Sequence, residues 1–475
     1  MKILFIYSYA NYEPLGLMTL SSVLKKGGHQ CQYLDLKFEK NIIKKIKKLS
    51  PDIISYSLIT GSHHDYKQFN TELKKHHNFI AVFGGPHCTF FPEFINEENV
   101  DVLCRGEGER AVVELAQKLQ DGKEFIDIKN LWVKENKNII SNELDNLCIN
   151  LDEIPFPDRD LVNVYSHYKK MQRRDVITSR GCPYNCTYCF NHANKAIFRH
   201  KGRYVRQRSV DNVIEEIRLL KEKYNTKKIH FQDDVFTVNR KWVYEFCEKY
   251  RQKIRLPFEV QLRVNLIDED IVRELKSAGC TLAMYGIESG NFRLRNELLN
   301  RNISDEQILH AADLFRKYKI RTMSVNILGL PDETLEMAFQ TTKLNIKCRP
   351  SYAWNSIYQP YPMTKLAEYS KQQGYFKGGI ELLNDSFLYG RSVLKTKDIR
   401  KIERLHYLFS LAVSVPFLLP VIRLLTRLPF MKFFRFLFFM HRAYAAVVSL
   451  RRIKFSEIVI FEKSRFFFFN RNWND

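Results

Sequence analysis

Three absences narrow the reading of these 475 residues. The chain opens directly on an apolar strand-like run, Met1-Lys2-Ile3-Leu4-Phe5-Ile6, with no secretory leader, so a reducing cytoplasmic setting is expected. It lacks the cysteine density of an oxidised scaffold: ten cysteines in 475 residues do not make a disulfide framework. It also lacks an apolar run of membrane-spanning length. The longest uncharged stretch in the basic tail, Tyr407–Ile422, is 16 residues and carries Pro416 and Pro420, whereas a spanning helix needs about 20. Acidic residues are in deficit as well, 53 against 75 Lys and Arg, for a formal charge of +22.

That charge is uneven. From Arg391 to the end, 17 basic residues face 5 acidic ones, so +12 lies in the last 85 residues. It is interleaved with Phe and Leu, which favours an anionic membrane surface over nucleic acid. Phe433, Phe434, Leu437 and Phe438 are the apolar side chains expected to enter such an interface. A helical cap packed on the preceding domain is the competing reading of this tail.

The first 122 residues alternate short apolar strands (Lys2–Ser8, Gln30–Asp35, Asp52–Ser57, Phe79–Phe83, Val100–Cys104) with helical stretches such as Gly16–Lys26. This is the pattern of an α/β, doubly wound parallel sheet, Rossmann-like, which binds ligands at the carboxyl ends of its strands. Those ends carry Asn11 to Gly16, Ser57 to Gly61 with Thr60, Gly84-Gly85-Pro86-His87, and Gly106 with Glu107. Residues 123–172 read as a linker holding one hairpin, Asn130–Ile140, and a Pro-rich turn. From residue 173 to 365 the alternation resumes with six strands: Val176–Thr178, Lys228–Gln232, Phe258–Leu262, Thr281–Ile287, Thr322–Leu328 and Ala353–Gln359. Six such units predict a partial (β/α)6 barrel with its chemistry at the strands' C-terminal ends. Residues 366–475 form a basic, hydrophobic, helical C-terminal region.

The most informative motif follows the first barrel strand: Cys182-Pro-Tyr-Asn-Cys186-Thr-Tyr-Cys189. Three thiolates on one loop suit a [4Fe–4S] cluster with one iron left open. A zinc site using His192 as fourth ligand is the alternative. The other cysteines show no cluster spacing and read as buried small hydrophobes, with Cys348, near the barrel mouth, keeping a catalytic option.

The spacing CxxxCxxC, with Tyr188 before the last cysteine, resembles the radical S-adenosylmethionine (SAM) superfamily, and later residues agree in order over about 190 positions. The resemblance implies that the open iron chelates SAM, that Glu288 bonds its ribose, that Asp233 or Asp234 lies near its amino group, and that Arg263 and Gly329 also belong to the cofactor site. The first domain resembles a cobalamin-binding domain. Gly16, Ser57 41 positions later and Gly84-Gly85 27 further on keep the family's spacing, while Glu13 stands where the cobalt-ligating histidine would be. His87 is expected to line that site without ligating cobalt. A plain flavodoxin-like domain is the alternative.

Together these imply a cobalamin-dependent radical SAM enzyme that methylates an unactivated carbon of a small-molecule or lipid-linked substrate. An electron donor such as flavodoxin or ferredoxin would supply it, and it would sit in the cytoplasm or peripherally at the inner face of the membrane. Cyclisation or rearrangement without methyl transfer is the alternative chemistry, and a non-catalytic, cluster-bearing, membrane-associated protein is a third reading.

Overall fold

The side chains of the first strand, β1 (Lys2–Tyr7), divide between two cores, as an alternating pleat covered on both sides requires. Ile3 and Phe5 pack with Leu17, Met18, Leu24 and Leu115 on one face, whereas Leu4 and Ile6 pack with Ile46, Phe69 and Leu73 on the other. A computed structural model supplies these coordinates, and it describes residues 1–8, 12–135, 138–383 and 391–445.

Around β1 lie β2 (Gln30–Asp35), β3 (Ile53–Ser57), β4 (Ile80–Gly84) and β5 (Val102–Cys104), all parallel. An antiparallel hairpin, β6 (Leu131–Glu135) and β7 (Asn138–Ser141), extends the sheet to the order β2-β1-β3-β4-β5-β6-β7. The strand order therefore reverses between β1 and β3, the crevice where open α/β sheets take ligands.

The hairpin corrects one expectation. The segment expected as a linker donates two strands to this sheet, and Leu161, Val162 and Tyr168 enter its core, so residues 1–171 cluster with Phe198–Arg206 as one unit. Leu131 and Val133 alternate inward along β6, and burying that face favours pairing over free connection.

The second unit holds six parallel strands in sequence order: β8 (Arg173–Val176), β9 (Lys228–Phe231), β10 (Phe258–Leu262), β11 (Cys280–Glu288), β12 (Arg321–Leu328) and β13 (Tyr352–Ile357). No ladder joins β13 to β8 among the described residues, so the barrel is open. Along β10, Phe258, Val260 and Leu262 face the helices with Phe246, Tyr250 and Ile271. Glu259 points the opposite way, to Lys228 at 2.5 Å and His230 at 3.3 Å. The intervening helices carry side-chain N-caps from Ser209, Asn239, Asp268, Ser304 and Thr334.

The first barrel strand ends two residues earlier than its sequence suggests. Thr178 gives its N–H and its hydroxyl to Asp233 instead of to a ladder. Cys348 is also displaced from its expected place. It closes the helix Leu335–Cys348, which precedes β13, so it lies toward the strands' N-terminal edge. There it is 2% exposed, and burial pushes its thiol up to about 12, as for a buried structural cysteine.

The helix Ile399–Ser414 lies on β13 and on the helix Leu335–Cys348, burying Leu405, Leu408, Phe409 and Ala412 against Ala338, Phe339, Ala353 and Ile357. It ends at Val415, which is non-helical (φ −131°, ψ 75°) as the following Pro416 favours. Two further helices follow, Leu419–Leu425 and Met431–Tyr444. No helix among the described residues is long and apolar enough to cross a membrane.

Candidate cluster and cofactor sites

The cysteine loop is anchored at both ends before any ligand is considered. At its start, Asp233 accepts from the Thr178 N–H at 3.1 Å, from the Thr178 hydroxyl at 2.8 Å and from the Ser179 hydroxyl. Burial pushes this carboxyl up to about 6, against the pull of those donors. Asp233 thus braces the loop. Along the loop, the Lys195 ammonium donates to the carbonyls of Pro183 at 3.0 Å and Tyr184 at 2.8 Å. Thr187 is tied to Leu298 and Leu299.

The three sulfurs differ in surroundings. Cys186 is buried, and two guanidiniums point at its Sγ, Arg263 at 3.6 Å and Arg301 at 3.9 Å. The Cys189 Sγ accepts from the Asn191 amide at 3.6 Å, and that amide also reaches Asp234 at 3.2 Å. Burial raises the thiols of Cys182 and Cys189, the latter to about 11, and bonding to iron would remove their protons.

The zinc alternative does not fit. His192 spends Nδ1 on the Cys186 carbonyl at 3.1 Å and accepts the Lys365 N–H at Nε2. No compact group of three His, Cys, Asp or Glu donors for a single ion occurs among the described residues. Cluster cysteines each bind a separate iron and need no such convergence. The N–H donors aimed at sulfur fit a [4Fe–4S] centre on Cys182, Cys186 and Cys189.

Beside the loop, β11 ends at Glu288, which is held at a left-handed φ of 64° just past a register shift. A non-glycine residue there stores strain that the surroundings must hold. The Tyr188 hydroxyl donates to Glu288 Oε1 at 2.9 Å, and Arg301 lies 3.1 Å from that hydroxyl and 3.6 Å from the carboxylate. Glu288 Oε2 has no partner among the described residues, so it could accept from a ligand hydroxyl. Burial raises both the Glu288 carboxyl and the Tyr188 phenol, while Arg301 pulls both down. Gly329 gives its N–H to Glu333 at 2.5 Å.

The ligand edge of the first sheet is built differently. Glu13 is fully enclosed, and its carboxylate takes the Arg159 guanidinium at 2.6 Å. Glu107 is likewise locked to Arg206 at 2.9 Å and to the Cys148 N–H at 3.0 Å. Both carboxylates are engaged by protein partners. Asn11 lies outside the described residues. Gly85, at φ +91°, must be bare because a Cβ would stand 2.8 Å from the Leu58 carbonyl. At Gly106 a Cβ would meet the Phe198 ring at 2.6 Å, whereas at Gly16 it would meet nothing. Gly84 pairs with Ser57 in the β3–β4 ladder.

The Thr60 hydroxyl lies 3.1 Å from His87 Nδ1, and the His87 ring stacks on His63 at 4.0 Å. Burial holds both imidazoles neutral, down to about 3 for His87 and about 4 for His63. His63 Nδ1 accepts the Gly61 N–H at 3.3 Å, so its proton sits on Nε2, which is buried with no partner. Tyr12 and Ile59 are 50% and 57% exposed on the same edge. A buried donor without acceptor and exposed apolar side chains fit a large, flat, amide-bearing ligand such as cobalamin.

Arg301, Arg159, Asn191 and His63 escaped the sequence reading. Arg301 and Arg159 reach their sites from separate stretches of chain, whereas Asn191 and His63 lie two residues beyond Cys189 and Gly61, outside the motif positions themselves.

By family description, residues 176–344 match the radical SAM superfamily and residues 1–116 match the B12 binding domain. An uncharacterized methyltransferase of Pyrococcus horikoshii is 34% identical over 367 residues, covering 75% of this chain and 78% of its own. An anaerobic magnesium-protoporphyrin IX monomethyl ester cyclase of Cereibacter sphaeroides is 26% identical over 384 residues, 76% of this chain and 61% of the cyclase. Among solved structures, the radical SAM methyltransferase TsrM of Kitasatospora setae, with cobalamin and a [4Fe–4S] cluster bound, aligns with a TM-score of 0.67 at 18% identity. It covers 80% of this chain and 79% of its own, a likeness of fold.

Proposed function

We propose, for a chain that belongs to the cobalamin-binding branch of the radical SAM superfamily, methyl transfer to an unactivated carbon of an apolar, lipid-linked substrate met at an anionic membrane surface. The protein is a radical SAM enzyme of methyltransferase type, with a [4Fe–4S] cluster, SAM and cobalamin as cofactors. Bound in their sites, these groups supply hydrogen abstraction from an inert C–H bond and a transferable methyl. The protein supplies placement. Cys182, Cys186 and Cys189 would hold three irons, Asp233 and Lys195 keep their loop in shape, and Glu288 Oε2 would accept from SAM. A low-potential donor of the flavodoxin or ferredoxin type would deliver electrons.

The observation that carries the membrane part is the outer face of the C-terminal helices. Phe433, Phe436 and Met440 are at least half exposed on the helix Met431–Tyr444, with Phe417 at 79% nearby in the chain. Lys432, Arg435 and Arg427 are interspersed among them. A basic residue close to an anionic leaflet contributes about 1 kcal/mol. Phe434 and Phe438 do not belong to this face, contrary to their expected place. They are buried in the core, Phe438 against Tyr407. Arg423 is paired at the surface, with Glu336 at 2.8 Å and over the Phe339 ring.

Point substitutions test this better than truncation, which would strip the helix Ile399–Ser414 from the barrel core. Phe433→Asp with Phe436→Asp should abolish co-sedimentation with anionic vesicles and leave the fold intact. Equal binding by wild type and variant refutes the membrane contact. For the chemistry, reconstituted enzyme given methyl-labelled SAM and a polar-lipid extract should pass label into the organic phase. It should form 5′-deoxyadenosine and S-adenosylhomocysteine in equal amounts. 5′-Deoxyadenosine alone would favour the cyclase-like reading that the Cereibacter relative raises.

A further inference from the structure

Arg263 is 4% exposed and carries its charge into the barrel, yet no carboxylate lies within 4 Å of it among the described residues. Its three donor groups are all engaged. Nε donates to Asn265 Oδ1 at 2.7 Å, Nη2 donates to the Arg301 carbonyl, and Nη1 donates to Cys186 Sγ at 3.6 Å. The guanidinium also lies over the Tyr184 ring, 3.8 Å from its centroid. A buried cation without a paired counter-ion is strongly unfavourable. Among the described residues the one side chain that it donates to and that a bound cluster would make anionic is Cys186, while the Glu288 carboxylate feels its charge from farther off. Arg301 Nη1 approaches the same sulfur at 3.9 Å, but it shares its charge with Glu288 and Tyr188, and its Nη2 is held by the Gly286 carbonyl at 2.6 Å.

We propose that Arg263, seconded by Arg301, tunes the reduction potential of the cluster through Cys186, rather than binding SAM. This rests on the cluster reading of the cysteine loop. With three thiolates the oxidised [4Fe–4S] centre carries one net negative charge and the one-electron-reduced form carries two, the electron coming from an external low-potential donor. A fixed cation and an N–H···S hydrogen bond favour the more negative form and so raise the potential. The rigid fork matters because Asn265 and Tyr184 hold it in one orientation, so little reorganises when the electron arrives. Arg301 adds a link: the same guanidinium touches the cluster ligand Cys186 and the Glu288–Tyr188 pair. Occupancy at Glu288 is therefore felt at the sulfur.

The test is an anaerobic redox titration of reconstituted full-length protein without SAM, following the electron paramagnetic resonance signal of the reduced cluster. Arg263→Met should lower the equilibrium constant for reduction about tenfold, which for one electron is about 59 mV. Arg263→Lys, which keeps the charge, should recover part of it. Iron and sulfide content and SAM affinity should match wild type in both. A cluster-bearing Arg263→Met with the wild-type potential, or with SAM affinity lost instead, overturns the inference alone. If Arg263→Met assembles no cluster, Asn265→Ala decides. It frees Nε and leaves the charge, so a smaller fall in potential supports the proposal and no fall overturns it. Wild-type protein that binds no iron overturns the cluster reading and this inference together.

Discussion

The two sheets present their ligand edges in opposite chemical styles. At the edge of the first, the charged side chains are withdrawn. Glu13 is consumed by Arg159, Glu107 by Arg206, and the two stacked histidines are neutral. What remains is backbone, a hydroxyl, a buried imidazole N–H and exposed Tyr12 and Ile59. At the edge of the second, charge is concentrated: Arg263 and Arg301 are buried against Cys186, Glu288 against Arg301, and Asp233 is buried at the start of the cysteine loop. A corrinoid is large and gains most from shape and from amide hydrogen bonds. A cluster that gains an electron responds to every nearby charge, because burial weakens screening. The same α/β architecture thus serves one ligand by room and the other by field.

The sharpest way to break that contrast is to empty one edge and inspect the other. Replacing Cys182, Cys186 and Cys189 together by Ala should remove all cluster iron, from about four per chain to none, while cobalamin binding persists. Loss of both cofactors would mean that the edges are not independent. Gly85→Leu attacks the first edge through shape alone: a side chain at φ +91° and 2.8 Å from the Leu58 carbonyl must displace the backbone. Cobalamin affinity should fall by more than tenfold, with iron content unchanged.

At the second edge, Glu288→Gln alters charge and hardly alters shape. SAM affinity should fall on the order of 10- to 100-fold, the equivalent of about 1.5–3 kcal/mol for a charge-assisted hydrogen bond. Unchanged affinity would move the cofactor contact elsewhere.

The smallest effect concerns Glu333, which burial pushes up to about 8 while it accepts the N–H groups of Gly329 and Leu330. Its folded pKa lies above its unfolded one, so the unfolded chain releases this proton first. Stability relative to Glu333→Gln should therefore fall as pH rises from about 4.5 to about 8. Denaturation midpoints of the two proteins that stay parallel across this window would show that the carboxyl is ionised in the fold.

The cysteine loop was legible because its three ligands lie within eight residues, so local spacing is itself geometry. Strand positions were legible for a related reason: runs such as Val260–Leu262 or Ile53–Ile54 must be buried wherever the chain places them. Boundaries were less so. Thr178 looks like a strand residue until Asp233, 55 positions away, captures its N–H. The hairpin after residue 130 looked like connection because its pairing partner, β5, is distant in character and short.

The roles of charged residues were the least legible. Glu13 stands at a ligand position by spacing, and only Arg159, 146 residues along, shows that its carboxylate is spent. Arg301 carries no motif, yet it joins Cys186, Tyr188 and Glu288. In the tail, composition alone made Phe433 and Phe434 equivalent; packing buries Phe434 and leaves Phe433 more than half exposed. By itself, then, the sequence determined which elements form and which loop holds sulfur, because hydrophobic periodicity and ligand spacing act between near neighbours. Tertiary structure alone decided which charges meet. Coulombic and hydrogen-bond partners are chosen by distance in space, and a buried ion keeps whichever partner the packed fold brings within reach.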